Sequence, residues 1–178
     1  MAVTKAQGSE GDGLLLWILV WSELAAFGAL LIASMIMTML DPDGAALFRN
    51  HLHPGLAAAN TIILVLSGWQ VALAVRLGGE GKAARRPLVM AAVLGLAFTA
   101  VKAFEYTLEI RSGIGDLGRF AELYFLVTGF HLLHVVFGAA VLLLVARRPS
   151  RGNVVMIATL WHAIDLVWLV MFPIIYLT

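Results

Sequence analysis

Five long apolar stretches fill nearly all of this 178-residue chain, at residues 14–40, 54–77, 87–110, 120–146 and 154–178. Each exceeds the roughly 20 residues that carry a helix across the hydrocarbon layer. Composition agrees: 61% hydrophobic and 13% charged residues lie far from the balance of a soluble domain. The reading is all-α, an integral membrane bundle of five transmembrane helices. A short polar N-terminus and four brief connections are left over, so residues 1–178 are read as one membrane domain.

Several chemistries drop out at once. The chain has no cysteine, which excludes disulfides, Cys-ligated zinc, iron–sulfur clusters and a covalently attached c-type haem. A net charge of +1 leaves no footprint for nucleic acid. Residues 1–13 are polar and carry Lys5, Glu10 and Asp12. The apolar run that follows shows no clear small-residue cleavage site, which predicts an uncleaved first helix.

Positive charge is uneven among the connections. The second holds Arg76, Lys82, Arg85 and Arg86 against Glu80, and the fourth holds Arg147, Arg148 and Arg151 with no acid. The first holds Asp41, Asp43 and Arg49, and the third Arg111, Asp116 and Arg119. Cytoplasmic loops collect Lys and Arg, so the second and fourth are read as inside. The N-terminus is then cytoplasmic and the C-terminus periplasmic. Pro54 and Pro87 fit helix starts, where a missing N–H costs little. No internal repeat is visible, and five spans do not divide into the paired halves common in transporters.

The ionisable residues inside the spans carry what the sequence says about function, because hydrocarbon offers a charge no water. Glu23 sits alone near the middle of the first span; along the chain the nearest Lys or Arg are Lys5 and Arg49. It is read either as a neutral carboxyl hydrogen-bonded between helices or as part of a proton or ligand path. Lys102, Glu105, Tyr106 and Glu109 form one stripe of the third span, most simply a salt-bridged face near the outer membrane surface. Tyr124, His131, His134 and Gly138 share one side of the fourth span. His131 and His134, one turn apart, cannot take opposite axial positions of one haem; that would need His162 on the fifth span. Asp165 lies one turn from His162, between Trp161 and Trp168. His51 and His53 are read as interfacial. Asn60 and Thr61 are read as interhelical hydrogen-bonders. Trp17, Trp21 and Trp69 fit interface anchoring or packing equally.

In order, these segments resemble the subunit III family of haem–copper oxidases. The matching runs are Trp21-Ser22-Glu23, Asn60-Thr61 with Ser67-Gly68, and Lys102-Ala103-Phe104-Glu105-Tyr106. They continue with Thr128-Gly129-Phe130-His131, Leu133-His134-Val135 and Gly138, and end with Trp161-His162-Ala163-Ile164-Asp165-Leu166-Val167-Trp168. The resemblance implies a non-catalytic bundle beside the haem-bearing catalytic subunit I and its associated subunits, among membrane lipids of a bacterial inner membrane. Glu23 falls on the family's buried carboxylate, and His131, His134, His162 and Asp165 on its interhelical polar network. Larger members have two further N-terminal helices that form a lipid-holding cleft, which this chain lacks. The direct start at the Glu-bearing helix and the ending Met171-Phe172-Pro173-Ile174-Ile175-Tyr176-Leu177 look most like the short branch associated with nitric oxide reductases. That places the chain in aerobic or denitrifying electron transport.

Two other classes stay open: a small proton-coupled transporter using Glu23, Lys102, Glu105 and Asp165, or a membrane cytochrome b using His131 and His162. The leading reading expects no haem, metal or other cofactor of its own. It expects Tyr124, His131, His134, His162 and Asp165 to face the interior, and docking on the catalytic subunit through the first helices.

Overall fold

The computed structural model describes residues 3–177, which are helical nearly throughout. The helices are α1 (Val3–Leu40), α2 (Pro42–Arg49), α3 (Pro54–Arg76), α4 (Gly81–Arg111), α5 (Arg119–Arg147) and α6 (Arg151–Tyr176), with a 3₁₀ turn at Ile114–Leu117. All but α2 are long and apolar enough to cross a membrane. Thr178, the end of the expected fifth span, lies outside the described residues.

Local chemistry explains the boundaries. Pro54 sits at the first turn of α3, as expected. Pro87 does not start a helix: α4 begins at Gly81 and Pro87 lies inside it. Only one backbone bond, near the helix start, is forgone there, a modest loss. The first connection is not a plain loop but contains α2. Asp41 caps it, its carboxylate accepting from the Gly44 N–H at 2.9 Å, and Pro42 follows in the first turn. α1 reaches back to Val3, into the polar segment expected to precede it.

The helices form an antiparallel set in which α3 packs on α4 and α6, α4 on α5, and α5 on α6. α1 lies against α5 and α6. Trp161 shows why these helices come close. Its ring enters a slot between α4 and α5 floored by Gly95 and Gly138. A β-carbon at Gly95 would stand 2.7 Å from Cη2, and one at Gly138 2.8 Å from Cζ3. Small residues at such crossings are how membrane helices gain van der Waals contact without a hydrophobic drive between them. Phe98 meets Trp168 edge-on, with ring centroids 4.8 Å apart, and joins the same buried column.

The α3–α4 turn abuts the start of α6: a β-carbon on Gly79 would lie 3.2 Å from the Arg151 backbone. This gathers Arg76, Lys82, Arg85, Arg86, Arg147, Arg148 and Arg151 at one end of the bundle. The polar clusters below lie between that basic end and the opposite one.

Candidate functional site: three polar clusters in the bundle

The largest cluster surrounds Lys102 on α4. The stripe read as a membrane-surface face is instead sealed inside: Lys102, Glu105 and Glu109 are all 0% exposed. The reason is partners from other helices. Lys102 Nζ donates to Glu105 Oε2 at 3.0 Å, to the Tyr124 hydroxyl on α5 at 2.8 Å, and to the Tyr176 hydroxyl on α6. All three ammonium protons are thereby used. The phenols pass their own protons on: Tyr124 donates to Glu109 Oε1 at 2.7 Å, and Tyr176 to Glu105 Oε1 at 2.8 Å. The rings of Tyr106, Tyr124, Trp168 and Tyr176 surround the ammonium at 5.0–5.6 Å from their centroids. That distance suits cation–π attraction, which is stronger where water is absent. Tyr106 donates to Thr128 Oγ1 at 2.7 Å, and Thr128 donates to the Tyr124 carbonyl at 2.6 Å. Tyr176 is the member that sequence reasoning placed only in an end motif. The signal for it was indirect: a buried lysine needs three acceptors, and its own helix supplies few.

The second cluster lies between α1 and α5. Glu23 is not alone. His134 Nε2 stands 3.0 Å from Glu23 Oε2, with side-chain exposures of 22% and 31%. The contact lacks hydrogen-bond alignment. The other ring nitrogen, Nδ1, meets the Phe130 carbonyl at 2.7 Å. A carbonyl only accepts, so Nδ1 carries hydrogen. Nε2 is therefore the ring nitrogen turned to the carboxyl. His134 thus turns toward α1 rather than into the centre. A cavity of about 150 Å³ lies alongside, lined among others by Glu23, Phe27, His131, His134 and Ile157. His131 is buried; it stacks on Trp168 at 5.3 Å and meets Phe27 and Phe98 edge-on. Neither of its ring nitrogens has a hydrogen-bond partner among the described residues.

The third cluster lies where α6 crosses α3. Asp165 is 8% exposed, with Oδ2 against Gly68 and 3.9 Å from His162 Nδ1. His162, expected inside, faces outward with its side chain 48% exposed. The phase of α6 places Trp161, Asp165 and Trp168 inward, and His162 falls off that stripe. His131 and His162 accordingly share no partner. Thr61 does tie helices, donating to Ala57 O at 2.9 Å and accepting from Trp168 Nε1 at 3.0 Å. Asn60 does not act as expected: it is fully buried, and neither side-chain polar atom has a partner among the described residues. Ser67 makes the link from α3 instead, donating to Ala91 O on α4 at 2.8 Å. Trp17, Trp21 and Trp69 are 54%, 66% and 60% exposed, so they do not pack inside this chain. His51 Nδ1 lies 3.0 Å from Leu47 O in the first connection, and His53 is half-buried beside α3. Among the described residues no group of three or more His, Asp or Glu is placed to hold a metal ion.

The arrangement ties α4, α5 and α6 through the Lys102 cluster and brings Glu23 to His134 between α1 and α5. The profile of the family described as cytochrome c oxidase subunit III matches residues 27–178. Cytochrome c oxidase subunit 3 of Synechocystis is 30% identical, covering 97% of this chain and 80% of its own length. A probable cytochrome c oxidase subunit 3 of Rickettsia felis is 29% identical, covering 93% and 67%. The subunit 3 of Latimeria chalumnae is 35% identical over 66% of this chain and 48% of its own length. The chain thus spans about half the length of the animal relatives it matches. With 152 matched residues (27 through 178), including all three polar clusters save Glu23, the chain belongs to the cytochrome c oxidase subunit III family.

Proposed function

We propose that this chain is a non-catalytic membrane subunit of a respiratory haem–copper oxidoreductase, where it supports assembly and stability of the catalytic subunit. One observation carries the reading. Lys102, Glu105, Tyr124 and Tyr176, which look like reactive groups in the sequence, bond one another across α4, α5 and α6, and Tyr124 donates on to Glu109 Oε1. Groups locked in this way hold a bundle in shape and are poorly placed to act on a substrate. A transporter would need such charges to exchange partners, and these are sealed.

In this reading the first helices dock on the catalytic subunit. α1 supports it, since it exposes Trp17, Trp21, Ile32, Ile36 and Met39 along its length. Membrane lipids cover the faces that no partner takes. The bacterial relatives favour a bacterial inner membrane, and the basic end favours a cytoplasmic N-terminus with a periplasmic C-terminus. The finer placement, in the short branch associated with nitric oxide reductases, rests on the resemblance of residues 171–177. The test is gentle purification of the tagged chain from its native membrane. The expected result is a haem-containing catalytic subunit in stoichiometric amount, and its identity decides between oxygen and nitric oxide as the reduced gas. Recovery of the chain with no haem protein would overturn the proposal.

A further inference from the structure

His162 stands near the middle of α6, eleven residues from Arg151 and fourteen from Tyr176, or about 17 and 21 Å along the axis. Its imidazole is far too short to reach an interface about 15 Å from the bilayer centre, so it cannot snorkel as a lysine would. Half of the side chain is open, and Nδ1 stands 3.9 Å from Asp165 Oδ2, beyond hydrogen-bond length. Below it Asp165 is more than nine-tenths buried, yet Oδ1 has no hydrogen-bond partner among the described residues. Lipid tails satisfy neither group. Ionisable side chains at this depth face protein or a water-filled cavity.

The packing of α6 on α1, α3 and α5 leaves one open arc, between α1 and α3, and His162 lies on it. Its neighbours there include Leu166 on α6 and Val65 and Trp69 on α3, 50%, 51% and 60% exposed. The outer face of α4 differs. Met90, Val93 and Leu96 are exposed there, all apolar, as lipid requires.

We propose that the α3–α6 face centred on His162 and Asp165 is a docking surface. Its occupant is a transmembrane helix of the haem–copper catalytic subunit that brings a hydrogen-bonding side chain to the depth of His162. This rests on the function proposed above and adds the face and the contact chemistry. The arc adjoins α1, so one partner surface covers both.

The natural chain has no cysteine, so single cysteines can be placed cleanly. Leu166→Cys on this arc and Val93→Cys on α4 have matched exposures of 50% and 52%. Each is labelled with a benzophenone maleimide in native membranes, irradiated, and purified as the assembled complex. The expected result is an adduct between the catalytic subunit and the Leu166→Cys chain, with lipid adducts alone from Val93→Cys. Only lipid at Leu166→Cys, or the catalytic subunit at Val93→Cys instead, overturns this inference while the functional reading stands, because the catalytic subunit still co-purifies. Absence of any haem–copper subunit from the purified material overturns both. A second measurement is co-purification itself. His162→Leu should lower recovery of the catalytic subunit about tenfold, the scale of one lost interfacial hydrogen bond to a buried group. His162→Gln, which still donates and accepts, should restore most of it. Undiminished recovery with His162→Leu would count against the proposal.

Discussion

The cluster around Lys102 and the pairs at Glu23–His134 and His162–Asp165 contain the same kinds of residue and are finished differently. Around Lys102 every ammonium proton and both phenol protons have acceptors and the carboxylates are 0% exposed, with Glu109 Oε2 left without a partner among the described residues. At the other two sites the side chains are 22%, 31% and 48% open, and Asp165 Oδ1 has no partner in the described residues. A closed network lowers the energy of one arrangement of helices, whereas an open one leaves valence for something outside the chain. In the reading proposed here the first region stabilises the bundle, and the His162–Asp165 face takes part in the interaction with a partner.

The largest effect should follow from breaking the closed network. Lys102→Met leaves Glu105, Tyr124 and Tyr176 without their shared donor inside a dry core. Removing one member of a buried charged set costs about 3–5 kcal/mol. The expected outcome is a chain that barely accumulates in membranes and melts far earlier in detergent. Near-normal thermal stability would mean that the cluster is not what joins α4, α5 and α6.

A smaller effect is expected from Tyr176→Phe, which keeps the ring over the ammonium and removes the hydroxyl. Lost with it are the donation to Glu105 and one acceptor for Lys102. Interhelical hydrogen bonds in membrane proteins average about 0.6 kcal/mol, so two are worth about 1 kcal/mol. Detergent melting should show a modest fall with the fold intact. A loss as large as that of Lys102→Met would place the anchoring of α6 on this one hydroxyl.

The division between what could and could not be read from the chain follows from range. Hydropathy alone marks five spans because each is a local run longer than a bilayer crossing. The Lys102 stripe is likewise local, at spacings of three and four, but its burial depends on Tyr124 and Tyr176, which lie 22 and 74 residues away in sequence. α2 carries a local signal, an Asp41 cap followed by Pro42 and an acidic first turn, but at eight residues it leaves no mark in a hydropathy profile. The rotation of α6 was the harder problem. A helix apolar on every side gives no stripe to orient by, so the outward turn of His162 is set by the slot that receives Trp161 and by the contact of Asp165 with Gly68. The Glu23–His134 pair joins positions on the first and fourth spans, and nothing local announces it.

The smallest effect on stability should come from Glu23→Gln, and its smallness is informative. Nδ1 of His134 is committed to the Phe130 carbonyl, so with a neutral ring Nε2 is a free acceptor. A glutamine amide at the same place can donate to that acceptor, keeps the shape of the side chain and removes the ionisable group. Stability and co-purification with the catalytic subunit should therefore change by no more than about 0.5 kcal/mol, the scale of a tolerated substitution. Glu23→Leu differs, because it leaves Nε2 with no polar neighbour from α1, and a group stranded in this way costs about 1–3 kcal/mol. The two variants separate shape from proton. If Glu23→Gln assembles normally but turnover of the partner enzyme, or its durability, declines, the pair acts through its proton. If Glu23→Gln weakens assembly as much as Glu23→Leu, the carboxyl itself, and not the shape of the side chain, supports the α1–α5 contact. In that case the Glu23–His134 pair belongs with the Lys102 network as a structural tie, and only the His162–Asp165 face remains open to a partner.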